Sequence, residues 1–286
     1  MFLAAVLGAA TDNAPGPGPA STPPQSAKVA RMRAKPRPPL PWLEPGDAFP
    51  EVQDAWGPQS EAPGLLAAGG ALDVPTLLRA YSSGIFPWFS EGQPILWWSP
   101  DPRMVLLPHT FRLHRSLRKT LQRFQAQPGC EVRFDTAFAD VIRLCAGTRE
   151  TASGGTWILP RMQRAYVKLH QAGFAHSAET WVDGKLVGGL YCVSIGRSVF
   201  GESMFSLQTD ASKIALAALT AFCRVQHIGL IDCQQNTRHL ASLGAGEMSR
   251  ARFLDLSRAG QEADPPPWFF EPLYWQSILP DKPTIK

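Results

Sequence analysis

Two carboxylates and an amide stand inside apolar runs of strand length. Glu202 lies late in the run 198–205, and Asp232 and Gln234 close the run 228–234. Burying an unpaired charge is costly, so a carboxylate in such a run needs a reason to be there. Side chains along a strand alternate between faces. Asp232 and Gln234 therefore share one face, and Cys233 takes the other. Groups of this kind can receive or relay a proton and orient a nucleophile. The plainer alternative is a structural salt bridge or a cap for a nearby loop. Spacing alone leaves the two readings level.

The segment between the two runs has to position them. Residues 209–226 are rich in Ala and Leu, with Ile214, Ala218, Phe222 and Val225 at helical spacing. Asp210 near the start suits the helix dipole, and Gly229 lies just past the end. The unit reads β-α-β, and such a crossover joins parallel strands, almost always right-handed. Ligands in open parallel sheets bind beyond the carboxyl ends of the strands. The two carboxylates and the amide thus converge on one cleft.

A chain of 286 residues is long enough for about two domains with a real core. The cysteines at 130, 145, 192, 223 and 233 are odd in number and form no CxxC pair. That favours reduced thiols and a cytoplasmic protein over a disulfide framework or a zinc site. The six His show no metal spacing, so no metal is expected. The apolar run 2–10 is too short to span a membrane and lacks a basic flank. The net charge of +4 resides in residues 1–40, where five Lys and Arg face one Asp. The rest is balanced, so a polyanion has to be held by a local patch. Eleven of the 27 prolines fall in the first fifty residues, and 1–40 is expected to be disordered.

Order begins near Pro41. The turn-rich stretch 63–70 leads into a helix over Val74–Ser82, with Asp73 as N-cap and Gly84 as its end. Residues 81–103 carry six large aromatics among Gly and Pro. These form either an anchor between domains or a stacking platform for a base. Residues 111–124 read as a basic amphipathic helix. Arg112, Arg115, Lys119 and Arg123 share one sector, widened by Arg118 and His114. Most basic faces are merely solvated, but one sign of charge without acidic support tilts this one toward phosphate. A helix over 135–145, a polar loop over 147–155 and a helix over Pro160–Gln171 follow. Then come strands over 174–182, Lys185–Ile195 and 198–205, with Asp183-Gly184 as a hairpin turn. Short helices are expected over 237–243 and 249–257, and the aromatic tail from Pro265 should pack back on the body.

From Pro160 the order α-β-β-β-α-β-α resembles the acyltransferase domain of the GNAT class of N-acetyltransferases. Those enzymes cradle the CoA pyrophosphate on a turn, [RQ]-x-x-G-x-[GA], before the helix after the fourth strand. The corresponding stretch 205–213 has no glycine. The expected fold is α+β: a GNAT-like acyltransferase domain over 104–264, built on a mixed sheet with the β-α-β unit. A disordered tail over 1–40 and a small N-terminal domain over 41–103 precede it, and an aromatic, proline-rich tail over 265–286 ends the chain.

The chain also carries Gly84-Ile85-Phe86-Pro87-Trp88, Trp97-Trp98-Ser99-Pro100-Asp101-Pro102-Arg103, Thr156-Trp157-Ile158 and Gly188-Gly189-Leu190-Tyr191. Gly201-Glu202-Ser203-Met204-Phe205-Ser206, Ala211-Ser212-Lys213, Leu230-Ile231-Asp232-Cys233-Gln234 and Ala241-Ser242-Leu243-Gly244-Ala245 follow in order. Together they resemble the leucyl/phenylalanyl-tRNA–protein transferase family over residues 63–256. The resemblance implies transfer of Leu or Phe, and less well Met, from aminoacyl-tRNA to proteins beginning with Arg or Lys. The product would enter the N-degron route to degradation. It implies a monomer with no metal, no CoA and no other cofactor. It implies Asp232 and Gln234 as the proton relay and Glu202 as the group holding the acceptor's amine or basic side chain. Leu190, Val199, Phe200 and Leu219 match the pocket for the donor side chain, and Tyr81, Trp88 and Trp157 match positions at the aminoacyl-adenosine end. The basic residues Arg112, Arg115, Arg118, Lys119 and Arg123 are the candidates for the tRNA backbone. Three competing readings are an acyl-CoA-dependent N-acetyltransferase, a cysteine enzyme using Cys233 with His239, and an inert tRNA-binding protein.

Overall fold

The computed structural model describes residues 39–153 and 156–279. The expected disordered tail lies, up to residue 38, outside the described residues. Two sheets organise the rest. The small one has strands β1 (Trp42–Leu43), β2 (Leu65–Gly69), β3 (Phe86–Pro87) and β4 (Leu96–Trp98), in the order β1-β2-β4-β3. Between β2 and β3 runs helix α1 (Val74–Ser82), with the bounds that its signals predict. The Asp73 carboxylate accepts from Thr76 N at 2.8 Å, which satisfies one of the free amides of the first turn.

The large sheet has β5 (Arg103–Leu106), β6 (Cys130–Phe134), β7 (Ala175–Val182), β8 (Lys185–Ile195), β9 (Ser198–Ser206), β10 (Ile231–Gln234) and β11 (Gly246–Met248). Its order is β11-β5-β10-β9-β8-β7-β6. Among its described pairs only β9 and β10 run parallel, as the crossover through helix α5 (Ala211–Val225) predicts. Asp183 and Gly184, between β7 and β8, both have left-handed φ (49° and 70°), the backbone of a type I′ hairpin.

The sheet is covered on both faces. On one, α5 buries nearly its whole length against Leu106, Leu190, Val199 and Ile231. Helix α2 (Arg115–Ala126) adds Leu117, Leu121 and Phe124 to that cluster, and the chain end adds Tyr274 and Trp275. The aromatic tail does pack back, with Trp268 stacked on His176 at 3.9 Å. On the other face, α3 (Phe138–Ser153), α4 (Pro160–Gln171) and α1 cover Tyr191, Val193 and Phe200. This second core continues without a break into the small sheet through Phe86 and Trp97. Two more helices, α6 (Arg238–Ser242) and α7 (Arg250–Gln261), flank β11.

Several expectations differ from the structure. The basic helix begins at Arg115, so Arg112 precedes it. Arg112 N instead donates to Leu243 O at 2.8 Å. That approach needs Gly244, which has φ 101° and whose added Cβ would come within 3.2 Å of Arg112 N. The stretch read as a polar loop from Gly147 is helical to Ser153, because α3 continues through Gly147. Asp210 adopts φ 64° and makes no capping bond; its carboxylate meets Lys213 Nζ at 2.7 Å. Helix α7 runs four residues beyond 257, to Gln261.

Gly188 on β8 sets how closely α5 approaches the sheet. A Cβ there would collide with the Ala211 side chain and lie 2.7 Å from its carbonyl carbon. Gly188→Ala should therefore lower stability by about 1–3 kcal/mol, read as a lower urea midpoint. An unchanged midpoint would mean that α5 is free to move away.

Candidate functional site

Two β-bulges build the site. On β9 the pairing with β8 passes from Tyr191↔Ser203 to Cys192↔Gly201, so Glu202 is the extra residue. On β10 the pairing with β5 passes from Asp232↔Val105 to Gln234↔Met104, so Cys233 is the extra residue, and Gln234 takes φ 65°. Bulges re-aim side chains and end pairing. Strands β9 and β10 pair only at Ile231↔Val199 and Asp232↔Phe200. Beyond those pairs a side-chain bond joins them, from Gln234 Nε2 to Glu202 Oε1 at 3.0 Å.

Glu202 is buried among neutral donors. Tyr81 donates to its Oε1 at 2.6 Å and Tyr166 to its Oε2 at 3.3 Å, and the two tyrosine hydroxyls meet each other. Burial pushes the Glu202 carboxyl up to about 7, against the pull of the tyrosine hydrogen bonds. Burial and the neighbouring Glu202 charge hold both phenols well above their usual range, so they remain donors. Tyr81 comes from α1 and Tyr166 from α4, so the cluster ties both helices to β9.

Asp232 is held differently. Its Oδ1 accepts from Arg103 Nε at 2.8 Å and its Oδ2 from Arg103 Nη2 at 2.7 Å. Both side chains have 0% exposure. The guanidinium lies between the rings of Phe86 (4.9 Å) and Phe253 (4.6 Å). Oδ1 also accepts the backbone N–H of Gln234 at 2.8 Å. The salt-bridge reading thus holds for Asp232, while Gln234 and Glu202 touch side chain to side chain. The Gln234 carbonyl oxygen meets no donor among the described residues.

The alternation argument places Cys233 correctly. It lies in the α5-side core, where its thiol contacts Ile231 O at 3.6 Å and burial pushes its pKa far up. No described hydrogen bond links it to His239, and that pair offers no thiolate nucleophile.

The other expected site residues are divided. Phe200 shares the core of Tyr81, 5.3 Å away ring to ring. Leu190 and Val199 lie in the opposite core, under α5, and Leu219 reaches that core from α5 itself. The four do not form one pocket, because neighbouring strand residues face opposite ways. Trp88 is half-buried beside Trp98 at 5.2 Å, and Trp157 is buried in the Tyr81 core. Arg115, Lys119 and Arg123 are exposed on α2, opposite Leu117 and Leu121, and Arg118 is half-buried. Arg112 is exposed before the helix. None of these five pairs with a described carboxylate within ion-pair distance.

Two site residues escaped the sequence reading. Tyr166 gives no signal, since a tyrosine on a helix's apolar face reads as core. Arg103 has one: a lone cation at the head of Arg103-Met104-Val105-Leu106, an apolar strand that needs a buried partner.

Comparison with known proteins gives the family. Residues 105–258 match the model for leucyl/phenylalanyl-tRNA protein transferase, and residues 70–101 match the model for that family's N-terminal domain. The chain belongs to the leucyl/phenylalanyl-tRNA protein transferase family. Three transferases bearing that name are close to it. The one from Polaromonas sp. is 63% identical over 248 residues, 86% of this chain and 97% of the relative. That of Albidiferax ferrireducens is 60% identical over 242 residues, 85% and 95% of the two chains. That of Leptothrix cholodnii is 59% identical over 244 residues, 84% and 95%. Membership makes the chain an aminoacyltransferase and sets aside the acyl-CoA reading. No described helix is long and apolar enough to cross a membrane.

Two outcomes follow for the transferase. Asp232→Ala leaves the Arg103 charge buried without its partner and should cost about 3–5 kcal/mol in urea unfolding. A loss below ~1 kcal/mol would mean that water reaches Arg103. Glu202 binds its proton more tightly folded than unfolded, so it favours the folded state below its ordinary value of 4.5. That contribution fades as pH rises through about 7. Unfolding free energies measured across this range should fall for the wild type relative to Glu202→Gln. Parallel profiles would place the carboxyl in water.

Proposed function

We propose that this chain moves leucine or phenylalanine, and methionine less well, from aminoacyl-tRNA to the α-amine of proteins that begin with Arg or Lys. The product is a mark for N-degron degradation. The reading places the enzyme in the cytoplasm, acting as a monomer without metal or cofactor. One observation carries it: in a chain of this family, a carboxylate whose described partners are all neutral donors adjoins an amide whose carbonyl oxygen meets no donor among the described residues.

The donor ester is already activated, so the enzyme mainly has to align it with the amine. A protein α-amine has an ordinary pKa of roughly 8 and arrives largely as ammonium. The Gln234 carbonyl oxygen accepts one N–H and the Glu202 carboxylate takes the surplus proton. The freed nitrogen pair attacks the ester carbonyl carbon. The new C–N bond forms, the bond to the ribose oxygen breaks, and that oxygen takes up the second proton, which the nitrogen loses as it becomes an amide. Asp232 and Arg103 position Gln234 rather than touch the amine. Tyr81 and Tyr166 keep the carboxylate hydrogen-bonded before the amine arrives.

Residues 104–264 serve in this reading as the GNAT-like catalytic domain, and 41–103 bring aromatic side chains to it. Trp88 and Trp157 support the aminoacyl-adenosine end, with Tyr81 behind them, and Phe200 borders the donor side chain. Stacking of this kind is worth about 1–3 kcal/mol per base. The exposed cations of α2, with Arg112 before it, hold the tRNA backbone.

The direct test is transfer of labelled Leu from Leu-tRNA to a peptide beginning with Arg, beside a matched peptide beginning with Ala. Transfer should go to the Arg peptide only. Glu202→Gln and Gln234→Ala should lower it by about 10²-fold or more, while Cys233→Ala leaves it largely intact. Equal transfer to both peptides would remove the N-terminal specificity. Full activity of Glu202→Gln would remove the proton acceptor.

A further inference from the structure

Glu202, Tyr81 and Tyr166 close a ring of oxygens between β9, α1 and α4. The Tyr81 hydroxyl lies 2.6 Å from Glu202 Oε1, the Tyr166 hydroxyl lies 3.3 Å from Glu202 Oε2, and the two hydroxyls meet each other. All three side chains are buried. The ring thus holds three oxygen pairs, and each pair needs one proton between its members.

The protons fall one short while Glu202 is ionised. Each neutral phenol carries one hydroxyl proton, and a carboxylate carries none. Burial and the Glu202 charge keep both phenols neutral. Two protons then serve three oxygen pairs, and one pair stays open. A carboxylic acid supplies the missing proton and closes the ring. With that proton on Oε2, the acid donates to Tyr166, Tyr166 donates to Tyr81, and Tyr81 donates to Oε1. With it on Oε1, the same bonds run the other way round. The two arrangements differ in the places of the protons and need no movement of heavier atoms. Buried polar networks are strongest when every member is satisfied in this way.

The two carboxyl oxygens have different surroundings. Oε1 also accepts from Gln234 Nε2 at 3.0 Å, whereas Oε2 faces Tyr166. A proton from an amine beside Gln234 therefore arrives on Oε1.

We propose that Tyr81 and Tyr166 relay this proton from Oε1 to Oε2 of Glu202. The relay rests on the reaction proposed above. An N–H bond of the ammonium breaks, its electron pair stays on nitrogen, and the proton bonds to Oε1. That proton passes to Tyr81, the Tyr81 proton passes to Tyr166, and the Tyr166 proton passes to Oε2. Both phenols end as they began, with one proton each. Oε1 is again an acceptor, free to hold a remaining N–H while the nitrogen attacks. The phenols act through Glu202 and touch neither substrate.

The test is single-turnover transfer of labelled Leu from Leu-tRNA to the Arg peptide in mixtures of H2O and D2O. Several protons moving together bend the plot of rate against deuterium fraction, and a single proton leaves it straight. The wild-type plot should be bowed, and those of Tyr166→Phe and Tyr81→Phe should be straighter. Tyr166→Phe removes one oxygen and keeps the aromatic ring. Its single-turnover rate should fall by about 10²-fold, with the half-saturating concentrations of both substrates unchanged. A straight wild-type plot would overturn the relay without recourse to any variant, so misfolding of a variant does not shield it. A Tyr166→Phe protein as fast and as bowed as the wild type would overturn it too. Glu202→Gln separates the relay from the reaction. If Glu202→Gln is slow and Tyr166→Phe is fast, the relay alone is lost. If Glu202→Gln is fast, the proton acceptor is lost and the relay with it.

Discussion

The buried pair of Arg103 and Asp232 is the constraint on which the site's geometry depends. It joins β5, the first strand after the small sheet, to β10, which comes more than a hundred residues later. Phe86 from β3 and Phe253 from α7 close over the guanidinium. Four separate stretches of chain must therefore be in register before either charge is compensated. Such a pair is weak evidence for stability, because apolar residues of similar volume often serve as well. Its value here lies in direction. A bidentate guanidinium fixes the carboxylate plane, and the same carboxylate then holds the Gln234 amide N–H at 2.8 Å. Gln234 is thereby kept in a left-handed backbone that a glutamine rarely adopts.

That constraint explains why two bulges sit side by side. A regular β9–β10 ladder would pair Glu202 and Gln234 through the backbone and give no gap between the strands. The extra residues Glu202 and Cys233 end the ladder after two pairs. What joins the strands afterwards is a hydrogen bond between side chains. Side chains can exchange partners where a backbone ladder cannot. The fold thus builds a replaceable contact into the middle of a rigid sheet.

Much of this was legible in the sequence, and the losses have physical causes. The β9-α5-β10 crossover follows from periods of two and 3.6 residues and from terminal signals, all local. So do the Asp73 cap, the Pro160 start of α4 and the Asp183-Gly184 turn. The small sheet was not legible, because strands of two to five residues are too short to show a period. β5 was hidden as well, since its place beside β10 is a long-range fact. The expected side-chain pocket failed on a local rule: Val199 and Phe200 are neighbours in a strand and cannot face one space. The place of Arg112 in the helix failed on a distant one, the close approach that Gly244 allows. Of the chemical residues, the carboxylates stood out against apolar runs, whereas Tyr166 looked like any core tyrosine.

The contrast between the two buried carboxylates carries the functional argument furthest. Asp232 has a resident cation, and three hydrogen bonds occupy it. Releasing it for an incoming group would strand Arg103, so it is a fixed part of the frame. Glu202 has three donors as well, but all are neutral and none of its partners among the described residues is a cation. No described cation pairs with its charge, and burial lifts its proton affinity toward neutrality. Such a group gains from any cation that can reach it. An ammonium brings both the missing charge and a transferable proton. After the proton has moved, both partners are neutral and suited to a dry site. In the proposed reaction, the carboxylate to which the described residues bring no cation is the one that accepts the proton and then lets the product go.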